Sequence, residues 1–275
     1  MKKLIALLLI TAFILSFAGC GSTAKPAPAP SGSEPAGDAL PAQLQAIVDR
    51  GVLRVGTKVD VPHFGYQNAD TNEVEGAEVD IAKAIAKRLL GDENAIETQG
   101  VTAQTRGPLL DNGEVDVVIA TFTITEERKQ SFNFTEPYYT DQIGFLVKKS
   151  LGATDIKSLD GKLIGVAQSA TTKAALEEKA KELGISFKFS EFASYPELNA
   201  ALGSGRIDAF SVDKSILLGY VNETSEILEE GFKPQEYGIA CKLDNKDLAA
   251  YLNEAIAEMR ADGTLDAIFA KWSLN

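Results

Sequence analysis

A chain of 275 residues, 45% of them hydrophobic, is long enough to bury one large core or two ordinary ones. Its formal charge of -12, with no Lys/Arg-rich block to offset it, excludes nucleic acid as a partner.

The chain begins with a segment that does not belong to the fold. "MKKLIALLLITAFILSFAGC" has a Lys2-Lys3 start, an apolar stretch from Leu4 to Ala18 and a small-residue close, which read as an export signal over residues 1–20. The apolar run is shorter than a membrane span, and it ends in Ala-Gly-Cys. Cys20 resembles the lipidated cysteine of bacterial lipoproteins, and a diacylglyceryl thioether there would supply the two chains that stable anchoring needs. Residues 21–42, rich in Pro, Ala, Gly and Ser, read as a tether, with the folded part starting near Gln43. The other cysteine, Cys241, is left without an internal disulfide partner.

From Leu53 onward short apolar runs alternate with amphipathic stretches. "VLRVGT" reads as a strand, "EVDIAKAIAKRLL" as a helix with Val79, Ala82, Ile85, Ala86 and Leu89 on one face, and "VDVVIAT" as a buried strand. The plan then repeats: strand "KLIGVAQ", helix "TTKAALEEKAKELG", strand "ISFKFSEF", helix "YPELNAALGSG", strand "RIDAFSVD". Leu110-x-x-Gly113-x-Val115-Asp116 is echoed by Leu202-x-x-Gly205-x-Ile207-Asp208, a helix ending on glycine with a strand starting at once. The chain is therefore expected to be an α/β protein of two similar halves.

Open α/β sheets bind ligands beyond the carboxyl ends of their strands. Those positions hold Lys58, then Thr121 and Thr123, then Gln168 to Thr172, then Asp213. Opposite charges, hydroxyls and helix starts at four strand ends describe one polar cleft between two lobes. The run "ATFTITEERKQ" adds a lone arginine, Arg128, where a strand stops at a helix start whose free backbone amides suit an anion.

"GAEVDIAKAIAKRL", "ATFTITEERKQSFNFTEPYY", "GVAQSATTKAAL" and "DAFSVDKSILLGY" resemble, in order and spacing, the family 3 extracellular solute-binding proteins. The similarity runs from Val52 to Trp272 and is strongest to the aspartate/glutamate-binding branch. The resemblance implies a type II periplasmic-binding-protein fold, a two-lobe trap with the ligand between the lobes. "QIGFLVKK" and "EYGIACK" would be its crossovers, dividing the chain into lobe I (43–144 and 239–275) and lobe II (145–238). It also implies an ABC permease and ATPase as partners and a monomeric receptor.

Carried onto this sequence, the family pattern gives Arg128 the ligand α-carboxylate, with the backbone amides of Thr123 and Thr172 beside it and Thr171 at the same helix start. Asp213 and the Thr121 hydroxyl would take the ammonium group. Lys58 and Arg106 stand where relatives that bind basic amino acids use an acid, and point to glutamate or aspartate as ligand. Three cations against Asp213 leave the expected site with two positive charges in excess, which favours an anionic ligand. Tyr195 could add a hydroxyl contact, whereas Tyr138 and Tyr139 read as core or hinge residues.

Little in the chain suggests catalysis. His63 is the one histidine, metal-ligand spacing is absent, and no P-loop, nucleophile elbow or Gly-rich strand turn occurs, so neither cofactor nor metal is expected. The competing readings are a lyase similar to the cyclohexadienyl dehydratases, which lack the ammonium-binding aspartate present here as Asp213, and a sensor or adhesin. For the anchor, Cys20→Ser is expected to release the protein from membranes with ligand binding unchanged. Fractionation after verified signal cleavage checks this, and a variant retained on membranes contradicts the lipid anchor.

Overall fold

The computed structural model describes residues 40–274. The export signal, Cys20 and all but the last three residues of the expected tether lie outside them. The fold starts slightly before the expected Gln43, with α1 (Ala42–Arg50) following Pro41.

In the first half, β1 (Leu53–Thr57) leads through a small sheet of β2 (Asp60–Val61), β3 (Gly65–Gln67) and β4 (Val74–Glu75) to α2 (Ala77–Leu90). Then come β5 (Ile96–Gly100), α3 (Arg106–Asp111), β6 (Val117–Ile119) and β7 (Phe132–Phe134). β1 pairs in parallel with β5 and β6, so its residues are covered on both faces, and its burial is nearly continuous rather than alternating. The apolar stripe of α2 packs on this sheet. Glu78 and Asp80 in its first turn and Lys87 and Arg88 in its last suit the helix dipole.

The second half repeats the scheme. β8 (Tyr139–Lys148) is followed by β9 (Leu163–Ala167), α4 (Thr172–Leu183), β10 (Lys188–Phe192), α5 (Tyr195–Ser204) and β11 (Ala209–Asp213). α6 (Lys214–Leu218), β12 (Ser225–Ile227) and β13 (Phe232–Tyr237) complete it. β9 pairs in parallel with β10 and β11, as β1 does with β5 and β6. The chain then returns through β14 (Ala240–Lys242), which inserts between β6 and β7 of the first sheet, and ends in α7 (Lys246–Ala261) and α8 (Thr264–Lys271), which pack on α2. The result is a two-lobe α/β fold.

Two strands carry the chain between lobes, and they pair with each other. β8 and β13 run antiparallel with Tyr139 opposite Tyr237 and Asp141 opposite Gln235, and the two tyrosine rings stack with centroids 5.9 Å apart. The division expected at residue 144 falls inside β8, which lies in the second sheet over its whole length. The segment after β6 leans on the returning crossover: Ile124 N donates to Glu236 O at 2.8 Å and Gly238 N to Phe122 O at 3.1 Å. The threonine run is thereby fixed to the hinge.

One glycine sets the entry of α2. Gly76 has φ 141°, and a Cβ there would lie 2.1 Å from the Phe64 carbonyl oxygen, which accepts a bond from Glu78 N. Gly76→Ala is therefore expected to destabilise the protein by about 2 kcal/mol or more, as strained backbone and a main-chain clash combine. Chemical denaturation checks it; an unchanged midpoint would show that the turn relaxes.

Candidate functional site

The strand ends named from sequence converge between the lobes. From the first lobe come Lys58 after β1, Arg106 opening α3, and Thr121, Thr123 and Arg128 after β6; from the second come Thr171 and Thr172 at the start of α4, Tyr195 at the start of α5, and Asp213 closing β11. Lys58, Arg106, Thr121, Thr123, Thr172, Tyr195 and Asp213 are all buried. Arg128, Thr123 and Thr171 line a cleft of about 610 Å³ with Ser169 and Gln235.

Phe122 organises the cations. Its ring lies 4.0 Å from the Arg106 guanidinium and 4.8 Å from that of Arg128, so both rest on one aromatic side chain. Arg106 Nη1 donates to the carbonyls of Ala120 at 2.6 Å and Thr121 at 3.0 Å, while its Nε is buried without a partner. Arg128 Nη1 donates to Thr123 O at 2.7 Å and Nη2 to Ser169 O at 3.2 Å, the latter bond crossing from one lobe to the other. Burial pushes the Arg128 guanidinium down to about 9, and the nearby Arg106 charge pushes the same way. Among the described residues neither arginine forms an ion pair, although burial makes an unpaired charge costly.

Thr121 is held in a strained conformation. Its φ of 43° is unusual for a β-branched residue, and it is held by bonds on both sides of the peptide. Its N–H donates to Glu78 Oε1 at 2.5 Å and its carbonyl accepts from Arg106, which leaves the Thr121 hydroxyl buried and unpartnered. Asp213 occupies the N-cap position of α6 without capping it; its carboxylate accepts instead from the Tyr237 hydroxyl of the hinge. Burial, reinforced by Asp141, pushes the Asp213 carboxyl up to about 7. Thr171 likewise makes no side-chain cap on α4, and its hydroxyl donates to Gln235 of the returning crossover at 2.8 Å.

Lys58 is where the expected charge balance needs correcting. Its ammonium lies 2.9 Å from Asp60 and 4.6 Å from the centre of the Tyr195 ring, so the chain supplies its counter-ion. The excess of two positive charges is therefore reduced to one, with Arg106 and Arg128 facing Asp213, and an ionised Glu78, whose charge acts on Arg106, offsets the remainder. Tyr195 contributes its ring to Lys58 and its backbone N–H to Asp60 at 3.4 Å. The Tyr220 hydroxyl also donates to the Asp60 carbonyl, and Gly219 sits against the Pro62 ring, so the Asp60–Pro62 segment is clasped by the second lobe.

Five participants were not singled out from sequence: Asp60, Glu78, Phe122, Gln235 and Tyr237. Two had a signal. Asp60 follows Lys58 at the strand spacing of two, and Glu78 stands with Ile81, Ala82 and Ile85 on the stripe that α2 buries, a position where an acid needs a reason. Tyr138, read as a core or hinge residue, is buried and donates to Glu78 at 2.5 Å.

Two sheets joined by paired crossovers, with buried charges facing one another across the join, define a two-lobe solute-binding fold. The chain belongs to the bacterial extracellular solute-binding proteins, family 3, whose pattern matches residues 53–275. It is 36% identical to the ABC transporter glutamine-binding protein GlnH of Bacillus subtilis (strain 168), over 99% of this chain and 97% of that protein. It is 39% identical to a glutamine-binding protein of Geobacillus stearothermophilus (89% and 92% covered) and 30% identical to the glutamate-binding protein GluB of Corynebacterium glutamicum (82% and 80% covered). Among solved structures, an ancestral arginine-binding protein bound to glutamine superposes with a TM-score of 0.74 at 36% identity, covering 82% of this chain and 99% of the other.

The buried Asp213 has a consequence for stability. A carboxyl raised from 3.8 to about 7 on folding favours the folded state below pH 4, and that contribution fades as pH rises from about 4 to 7. Relative to Asp213→Asn, the ligand-free protein should lose on the order of 1.4 kcal/mol per pH unit across that window and level off above it. Thermal unfolding of both proteins between pH 5 and 8 checks this, and parallel curves contradict it.

Proposed function

We propose that this protein is an amino-acid receptor of an ABC importer and that it closes over an acidic amino acid, glutamate or aspartate. The observation that carries the reading is the set of buried charges that the chain does not pair for itself. Lys58 has Asp60; among the described residues Arg106, Arg128 and Asp213 have no charged partner within bonding distance. Two guanidiniums and one carboxylate are the complement of two carboxylates and one ammonium, which is what a dicarboxylic amino acid presents.

In this arrangement Arg128 takes the α-carboxylate, aided by the first-turn amides of α4 at Thr172 and by the Thr123 backbone. Asp213 takes the ammonium with the unpartnered Thr121 hydroxyl. Arg106, which rests on the same Phe122 ring, takes the side-chain carboxylate through its unpartnered Nε, and Lys58 adds field rather than a dedicated ion pair. Ligand contacts from both lobes favour the closed form, and only that difference in affinity drives hinge closure. A permease and ATPase then receive the closed receptor, and no bond in the ligand is broken.

Glutamine is the second reading, favoured by the two glutamine-binding relatives and by Glu78, which when ionised can balance Arg106 in place of a ligand carboxylate. Calorimetry separates the two. Arg128→Ala should weaken every amino-acid ligand, because all share the α-carboxylate. Arg106→Ala should weaken glutamate and aspartate by roughly 1.5 to 3 kcal/mol, the usual worth of a charged hydrogen bond, and glutamine much less. Wild-type protein that prefers glutamine, or an Arg106→Ala variant that loses glutamate and glutamine equally, contradicts the acidic ligand.

A further inference from the structure

Glu78 is fully buried in the first turn of α2, and the solute contacts described above do not use it. Its Oε1 accepts two 2.5 Å bonds, from Thr121 N and the Tyr138 hydroxyl, while Oε2 is buried with no partner. The groups that act on it come from three sides of the cleft: the charges of Lys58 after β1 and Arg106 opening α3, and the hydroxyl of Tyr138 ahead of β8. Tyr195 of α5 feels its charge from the second lobe. It is thus a buried carboxyl joined to Arg106 through one residue, since Thr121 donates its N–H to Glu78 and accepts from Arg106 at its carbonyl.

We propose that Glu78 and the ligand side-chain carboxylate are alternative counter-ions for the same cationic cluster, so that Glu78 takes up a proton from solvent when an acidic ligand enters and stays ionised when a neutral one does. The inference rests on the acidic-ligand reading and names the residue that sets the charge the cleft accepts. Two carboxylates in one desolvated site do not both stay ionised, and the one already bound by two donors keeps both of those bonds at Oε1 when Oε2 carries the proton. The empty receptor is poised for this exchange, because burial, opposed by the Tyr138 and Thr121 bonds, leaves the Glu78 carboxyl pushed up to about 7.

The sign follows. Below pH 7 Glu78 is already protonated, and glutamate binds without needing a proton. Above pH 7 each binding event must bring one, so glutamate affinity should fall by up to about tenfold per pH unit while glutamine affinity does not share that fall. Asp213, also near neutrality, titrates with any ammonium ligand and is common to both.

The test is calorimetry of the wild-type protein at pH 6 and pH 8, in two buffers of different ionisation enthalpy, with glutamate and glutamine. At pH 8 glutamate should take up close to one proton more than glutamine, and at pH 6 the difference should be small. In Glu78→Gln, glutamate should show that extra uptake at neither pH, and its affinity relative to glutamine should no longer change with pH. Glutamate binding without extra proton uptake in the wild type, or equal uptake in Glu78→Gln, overturns the role of Glu78 and leaves the ligand reading standing. A wild-type protein that gives no heat with glutamate overturns both.

Discussion

Two arginines share one phenyl ring at the cleft of this protein, Arg106 buried and Arg128 half-buried, and among the described residues neither is bonded to a carboxylate. Holding guanidiniums there is expensive, since burial removes water that the backbone carbonyls of Ala120, Thr121, Thr123 and Ser169 replace only in part. The surrounding structure is arranged to tolerate that cost. β6 ends at Ile119 so that the next peptides can turn their oxygens toward Arg106, and the strained Thr121 is the result of that turn. A site that is costly when empty has the most to gain from a ligand of opposite charge.

Neighbours of the arginines connect the site to the hinge. Glu78 binds both Thr121 and Tyr138, the latter next to β8; Asp213 binds Tyr237 at the end of β13; and Thr171 binds Gln235 in the same strand. Asp213 and Thr171 are thus each bonded to the returning crossover, and Glu78 to the residue that precedes the outgoing one. In a receptor of the proposed kind, contacts that change when a solute enters would reach the two paired strands about which the lobes would turn.

The architecture could be read in the sequence because parallel buried strands, amphipathic helices and glycine stops each leave a periodic trace. Gly184 and Gly205, for example, do close their helices in the left-handed conformation. The positions after strands were legible for the same reason: topology puts Lys58 and Thr121 at one end of the first sheet and Asp213 at the matching end of the second. Charge pairing was not. Lys58 counted as a free cation until Asp60 was seen folded back onto it, and Asp60 reaches it through a short strand, β2, whose two residues carry almost no pattern. Glu78 was hidden for a different reason: acids are expected in the first turn of a helix, so its place on the buried stripe was masked by its place on the axis.

The clasp on the Asp60–Pro62 segment carries a cost for transport. The bonds from Tyr195 and Tyr220 and the seat of Pro62 on Gly219 join the lobes through the chain's own groups. In a receptor of the proposed kind, closure would then not be a pure report of occupancy. An empty form held shut by these bonds would compete for the permease with loaded ones. The tighter that clasp, the less work a solute would have to do to shut the trap, and the more often the transporter would be offered nothing.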